Sequence, residues 1–296
     1  MKAEIILDSI INNERVTCMR VTYPRIVHSE FLRHRVFSIN SQSSRATPFN
    51  RMVDQYAIFT PTLWRKHKPG MQPIENHEWS EKDLNEINDS YFWIKRKSIE
   101  IARYLHEVKK VSKEQVNRLI EPYSNIVHIV QTTEKGYKSF FDLRITEHAQ
   151  FEIREIAKLM KKIYDESKPI KRDIHLPFYN KESYEEKHII SFMMASAARC
   201  ARTSYYNHDG KEPRMIDDLR LARRLKKDYH MSPFEFPVLD INIAKFIFRE
   251  KIEFFEEIDK SRYQNILSNT MIIKDFSGNL NNWKLVQFRK LIEAGV

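Results

Sequence analysis

The chain has 296 residues, enough for a sizeable buried core, and its 42% hydrophobic and 30% charged residues with only 5 glycines exclude a disordered or collagen-like polymer. No run reaches the roughly 18 uninterrupted apolar residues of a membrane span, and the first thirty residues lack a basic segment leading into an apolar one, so a protein that stays in the cytoplasm is expected. A net charge of +10 points to anionic partners, whether nucleic acid, nucleotides or phosphorylated cofactors, and two cysteines, Cys18 and Cys200, are too few for a disulfide framework and read as core thiols.

Val16 to Val21 has the β-branched content of a strand, and Pro24 is placed to open a helix. The recurrence of Ile26, Val27, Phe31 and Phe37 predicts one buried helical face from Arg25 to about Phe37, with Glu30, Arg33, His34 and Phe37 on a neighbouring stripe. That helix is expected to end in the Ser-rich stretch running to Pro48. Pro61, Pro69, Gly70 and Pro73 predict a long loop from Thr60 to Glu75. Helical patterns follow from about Asp83 to His106 and from Ser112 to Leu119.

Phe141, Leu143 and Ile145 alternate with Asp142 and Arg144, which predicts a strand carrying Arg144 on its polar face. Thr146 then reads as the N-cap of a helix with Ala149, Ile153, Ile156 and Met160 as its apolar stripe. The charged stretch Lys161 to Lys187, with Pro169 and Pro177, is either a linker or a surface excursion. Beyond it come helices near His188 to Ala201 and Ile216 to Lys227, then an apolar run around Val238 to Phe248.

The chemistry concentrates between Arg33 and Arg45. A phosphate needs convergent donors, and this stretch contains no glycine whose loop could present backbone amides. Side chains must therefore serve: Ser38, Asn40, Ser41, Ser43 and Ser44 are short donors, and Arg45 adds a guanidinium fork. No glycine-rich dinucleotide fingerprint and no clustered His/Cys pattern occur, so no metal site is expected.

Arg33-His34-Arg35-Val36-Phe37-Ser38-Ile39-Asn40-Ser41-Gln42-Ser43-Ser44-Arg45 resembles the RHRxxSxNxxSxR signature of the flavin-dependent thymidylate synthases. Phe140-Phe141-Asp142-Leu143-Arg144, with His148-Ala149-Gln150-Phe151-Glu152-Ile153-Arg154, is similar to the FxxLR and HAQxEIR elements of that family, and Asn117-Arg118-Leu119-Ile120-Glu121-Pro122 to a segment supplying a nucleotide-binding arginine. Ala201-Arg202-Thr203-Ser204-Tyr205 and His230-Met231-Ser232-Pro233-Phe234-Glu235 resemble its ARxSY and HxSPxEH elements. These last two usually precede the RHR block and here follow it, an order that resembles a circularly permuted, virus-like member, for which the cytoplasm would be that of the host. Four positions depart from the pattern: Glu30 in place of Gln, Ser41 in place of Glu, Ser139 in place of Asn, and Phe236 in place of the closing His.

The resemblance implies an α+β fold, a mixed sheet with packed helices, in a single domain over 1–296, with 1–160 carrying the RHR and FxxLR blocks and 188–296 the permuted ones. It implies one-carbon transfer from methylenetetrahydrofolate to C5 of dUMP, with FAD reduced by NADPH, in a homotetramer whose sites lie at subunit interfaces. Carried over by position, Arg33, His34, Arg35, Asn40, His148, Ser204, His230 and Ser232 would contact cofactor or folate. Glu30, Arg33, Ser41, Ser43, Arg45, Arg118 and Arg144 would hold the deoxyribonucleoside monophosphate, with Arg144 also the catalytic residue, favouring a pyrimidine ionised at N3. Glu30 also suits an exocyclic amine, which leaves open dCMP as substrate and a methylated or hydroxymethylated product. A non-enzymatic alternative is a basic nucleic-acid-binding protein, which predicts salt-sensitive polynucleotide affinity.

Overall fold

Two asparagines turn the first hairpin. Asn12 and Asn13, at φ 48° and 65°, take the left-handed conformation that this residue type tolerates, and they join β1 (Lys2–Ile11) to β2 (Glu14–Pro24). The structure, a computed structural model, describes residues 1–56, 59–67, 69, 78–179, 188–203, 213–254, 275–282 and 284–294. In it β2 pairs antiparallel with β4 (Asn125–Thr133), β4 antiparallel with β3 (Ser38–Ser41), and β1 parallel with the short β5 (Ile170–Lys171), giving the order β3-β4-β2-β1-β5. A second antiparallel sheet is built from β6 (Ile174–His175), β7 (Val238–Asp240) and β8 (Leu285–Gln287), in that order.

The described helices are α1 (His28–Leu32), α2 (Phe49–Arg51), α3 (Glu81–Glu107), α4 (Lys113–Ile120), α5 (Glu134–Arg144), α6 (Phe151–Glu166), α7 (Ile189–Ala201), α8 (Met215–Lys227), α9 (Ile241–Phe254) and α10 (Phe288–Glu293). The fold is thus mixed α+β with a mixed sheet, as the sequence implied. No helix among the described residues is long and apolar enough to cross a membrane.

Both faces of β2 are buried, and the two-residue period sends its side chains into different cores. Met19, Val21 and Tyr23 join Phe31 of α1, Tyr137, Phe140 and Phe141 of α5, and Ile153, Ile156 and Met160 of α6. Cys18, on the opposite face, packs with Ile129, Cys200 and Phe236. Fully buried rings such as Phe31 and Phe140 each contribute about 2–3 kcal/mol of apolar transfer, so this sheet organises the first half and carries the second half on its back. The second half has its own core, in which Met193, Ala197 and Leu221 meet Phe234, Leu239, Phe288 and Leu291.

Four local expectations are corrected. The helix foreseen from Arg25 to Phe37 is a single 3-10 turn, Arg25–Val27, followed by α1, which stops at Leu32; Pro24 closes β2 and precedes that turn rather than opening a helix. The Ser-rich stretch is not a helix end, because Ser38–Ser41 pairs with Gln131 to His128 of β4 as an edge strand. Arg144 does not sit on a strand: Tyr137, Phe140, Phe141 and Arg144 recur at helical spacing, and three buried aromatics on one face outweigh a three-residue alternation. Finally, α6 begins after Gln150 rather than after Thr146, whose carbonyl accepts the Ala149 N–H in a turn before the helix.

The strand at Val16–Val21, the helices at α3, α4, α7 and α8, and the apolar stripe of α6 lie where periodicity placed them. The stretch Lys161 to Lys187 begins as the last turns of α6 and continues through β5 and β6 as far as residue 179. Much of the loop expected from Thr60 to Glu75 lies outside the described residues, as do Ser204 and Tyr205.

Candidate active site

Arg144 closes α5 and turns back onto α1. Its Nε–H donates to His34 Nε2 at 2.7 Å, Nη2 donates to the Glu30 carbonyl at 3.1 Å, and Nη1 lies 3.4 Å from Glu30 Oε2. His34 stands edge-on to Phe140, with ring centroids 4.9 Å apart, so the aromatic core that makes α5 a helix also orients the imidazole. Burial, then the adjacent Arg144 charge, lowers the His34 pKa to about 4. A neutral ring accepting at Nε2 is the form that can hold a guanidinium.

A second group surrounds the turn after β3. Asn117, fully buried on α4, donates through Nδ2 to the carbonyls of Ser44 at 2.7 Å and Thr47 at 3.0 Å. Thr47 folds back onto the Ser43 carbonyl through both its N–H and its hydroxyl. The turn is therefore pinned from beneath, and Ser43 and Arg45 project outward, Arg45 with 71% of its side chain exposed and, among the described residues, a long 3.9 Å contact to Glu114. Next to Asn117 in the chain, Arg118 pairs with Glu121 at 3.3 Å, and Glu121 is shared with the largely covered Arg25 at 3.6 Å. One carboxylate between two guanidinium groups leaves a net positive charge facing an anion.

Between these groups lies a stack that sequence reasoning missed. His128 of β4 is fully buried, with its ring 4.8 Å from Tyr23 and 4.6 Å from His28, and its Nδ1 meets the Ser41 hydroxyl at 2.7 Å. Burial first, then the charges of His28 and Arg25, drives its pKa well below the ordinary value. Neutral His128 and the Ser41 hydroxyl share one hydrogen bond, which fixes the orientation of the Ser41 side chain. Position 128 carries no sequence signal, since a polar residue in a strand is ordinarily on the solvent face.

A third group lies on the reverse side of β3. Asn40 donates to the Cys200 carbonyl at 2.9 Å and accepts from Ser232 at 3.3 Å, bridging 160 and 192 residues of chain. The two motif blocks that follow the RHR stretch thus meet it in space. Arg202 and Arg199 both bind the buried Asp218. Glu235 pairs with Arg289 of α10 at 2.6 Å, while Gln287 and Asn279 hold Ser38 at 3.0 and 3.1 Å. Phe236, where a histidine was the family pattern, is fully buried against Cys18, Ile129 and Cys200. Burial raises both thiol pKa values and keeps them protonated, so neither is an activated nucleophile.

The remaining described positions are exposed. Arg33 and Arg35 follow α1 with no ion pair among the described residues; His148 precedes α6, and His230 follows α8 with its N–H on the Leu225 carbonyl. Ser204 lies outside the described residues. The structure brings together Glu30, His34 and Arg144, and Asn40 with Ser232; Ser43 and Arg45 flank the turn held by Asn117, the chain neighbour of Arg118. Phe31 of α1 stacks near His128, which bonds Ser41, and Arg25 reaches Arg118 through the shared Glu121. Among the described residues no cluster suited to a metal ion occurs.

No curated protein matches the chain. A family model described as thymidylate synthase complementing protein matches residues 9–170. That interval opens at Ser9 and closes at Ile170, which are paired across β1 and β5, so the matched segment runs from the end of β1 to the start of β5 and includes Arg33 to Arg45, Arg118 and Arg144. With more than half of its length matched, the chain belongs to the thymidylate synthase complementing protein family, that of the flavin-dependent thymidylate synthases.

Proposed function

We propose that this protein transfers a one-carbon unit from methylenetetrahydrofolate to C5 of dUMP, as a homotetramer with sites at subunit interfaces. The observation that carries the reading is Arg144 locked against His34 and Glu30 inside the segment that matches the family. A guanidinium held by two partners keeps its position when a base arrives, and it stabilises negative charge developing on a pyrimidine without reorganising.

Ser43, Arg45 and Arg118 bind the 5′-phosphate. Their support is the turn pinned by Asn117, which presents hydroxyl and guanidinium donors together. Ser41, oriented by His128, offers its hydroxyl to the nucleotide. Arg33 and Arg35 are exposed cations without an ion pair among the described residues, a donor set that fits the diphosphate of FAD. Bound FAD, once reduced by NADPH, supplies the hydride. His34, Asn40, His148, Ser204, His230 and Ser232 complete the cofactor and folate contacts, of which Asn40 and Ser232 are already hydrogen-bonded to each other.

The same reading takes 1–296 as one domain in circularly permuted order. Its support is that the ends of the matched segment lie side by side, so a break elsewhere in the chain leaves the same contacts. The test is direct. Purified protein should be yellow and tetrameric, oxidise NADPH and convert dUMP to dTMP; colourless protein that binds polynucleotide with steep salt dependence would refute the proposal.

A further inference from the structure

Glu30 and Arg144 present one hydrogen-bonding edge. A guanidinium carries five N–H donors; here Nε, Nη1 and Nη2 each give one to His34, Glu30 Oε2 and the Glu30 carbonyl, which leaves two hydrogens unused among the described residues. Glu30 Oε1 takes no hydrogen bond among the described residues. The Arg144 and Glu30 side chains are 18% and 26% exposed, so neither is sealed from an approaching base.

Pyrimidines differ along the matching edge. Uracil offers acceptor, donor, acceptor at O2, N3–H and O4; cytosine offers acceptor, acceptor, donor at O2, N3 and the N4 amine. Cytosine laid along the pair gives its acceptors to Arg144 and its amine to Glu30. Uracil in the same pose sets O4 against a carboxylate, acceptor against acceptor, and the Glu30 charge offsets part of the guanidinium field that would favour ionisation at N3.

We propose that Glu30, held by Arg144, makes this site accept a cytosine base, so that dCMP binds at least as tightly as dUMP. The inference rests on Arg144 being the base contact of the proposed function. Glu30 is then a specificity-determining residue for the nucleotide.

Equilibrium binding of dCMP, dUMP and N4,N4-dimethyl-dCMP to the flavin-loaded protein tests it. The expected result is dCMP at least equal to dUMP, with the dimethyl analogue, which has lost both N4 donors, about tenfold weaker or more. Glu30→Gln, whose amide can donate to O4, should shift the dCMP-to-dUMP affinity ratio about tenfold toward dUMP. The inference is overturned alone if dUMP binds wild type tenfold tighter than dCMP, or if neither dimethylation nor Glu30→Gln changes the preference. If no nucleotide binds at all, the proposed function falls with it. The analogue comparison needs only wild-type protein, so a Glu30→Gln variant that fails to fold leaves the test intact.

Discussion

Arg144 and His34 are 110 residues apart, and a 2.7 Å hydrogen bond joins them at the junction of α5 and α1. The imidazole serves as acceptor, so its replacement by a group with the same capacity separates positioning from packing. His34→Gln should retain part of the activity and His34→Ala should lose about a hundredfold in kcat, with the nucleotide KM changed less. Steady-state kinetics of the two variants would show equal losses if His34 merely fills space.

Acid should destabilise the protein before its carboxylates titrate. His34 and His28 are lowered to about 4 from 6.5, and His175 to about 3, each chiefly by burial. The unfolded chain therefore binds protons that the folded one refuses, and stability is lost as pH falls from about 6.5 toward 4. Urea unfolding at pH 7 and pH 5 should differ by at least about 1 kcal/mol, after allowance for the partly exposed rings. An unchanged midpoint would mean that these rings are not buried in the neutral form.

Asn117 holds two carbonyls of the turn that carries Ser43 and Arg45. Asn117→Ala leaves both without their donor and should cost about 2–3 kcal/mol in thermal or urea unfolding. It should also weaken nucleotide monophosphate binding more than binding of the corresponding nucleoside. Equal weakening of the two would detach the turn from the phosphate.

The C-terminal region has a role that composition did not reveal. Arg289 neutralises Glu235, whose carboxyl pKa is raised by burial despite that pairing, and Gln287 and Asn279 fasten Ser38 of the RHR block. Arg289→Met should destabilise by about 1–2 kcal/mol, discounted because the arginine is a third exposed, and Arg289→Lys by less. An unfolding midpoint unchanged in Arg289→Met would contradict a stabilising role for this pair.

Much of the molecule could be read from residue order because its long helices repeat apolar residues over several turns. The stripe of α6 and the interval of α8 are examples. The failures have a common cause. Around Arg144 three alternating residues mimicked a strand, and only the distant partners of Tyr137 and Phe140 decide for helix. Around Ser38 an edge strand depends on β4, some ninety residues away. Arg33 to Arg45, Arg118 and Arg144 were legible through motif spacing, whereas His128, Arg289 and Gln287 matter only through contacts that bring distant segments together.

Arg144 gives the decisive measurement: single-turnover conversion of dUMP to dTMP by wild type and Arg144→Ala, with the flavin spectrum recorded on the same samples. Wild type should form dTMP, and the variant should keep its flavin while forming none within the same period. A variant that turns over at the wild-type rate, or a wild type with neither flavin nor product, would contradict the assignment of this site.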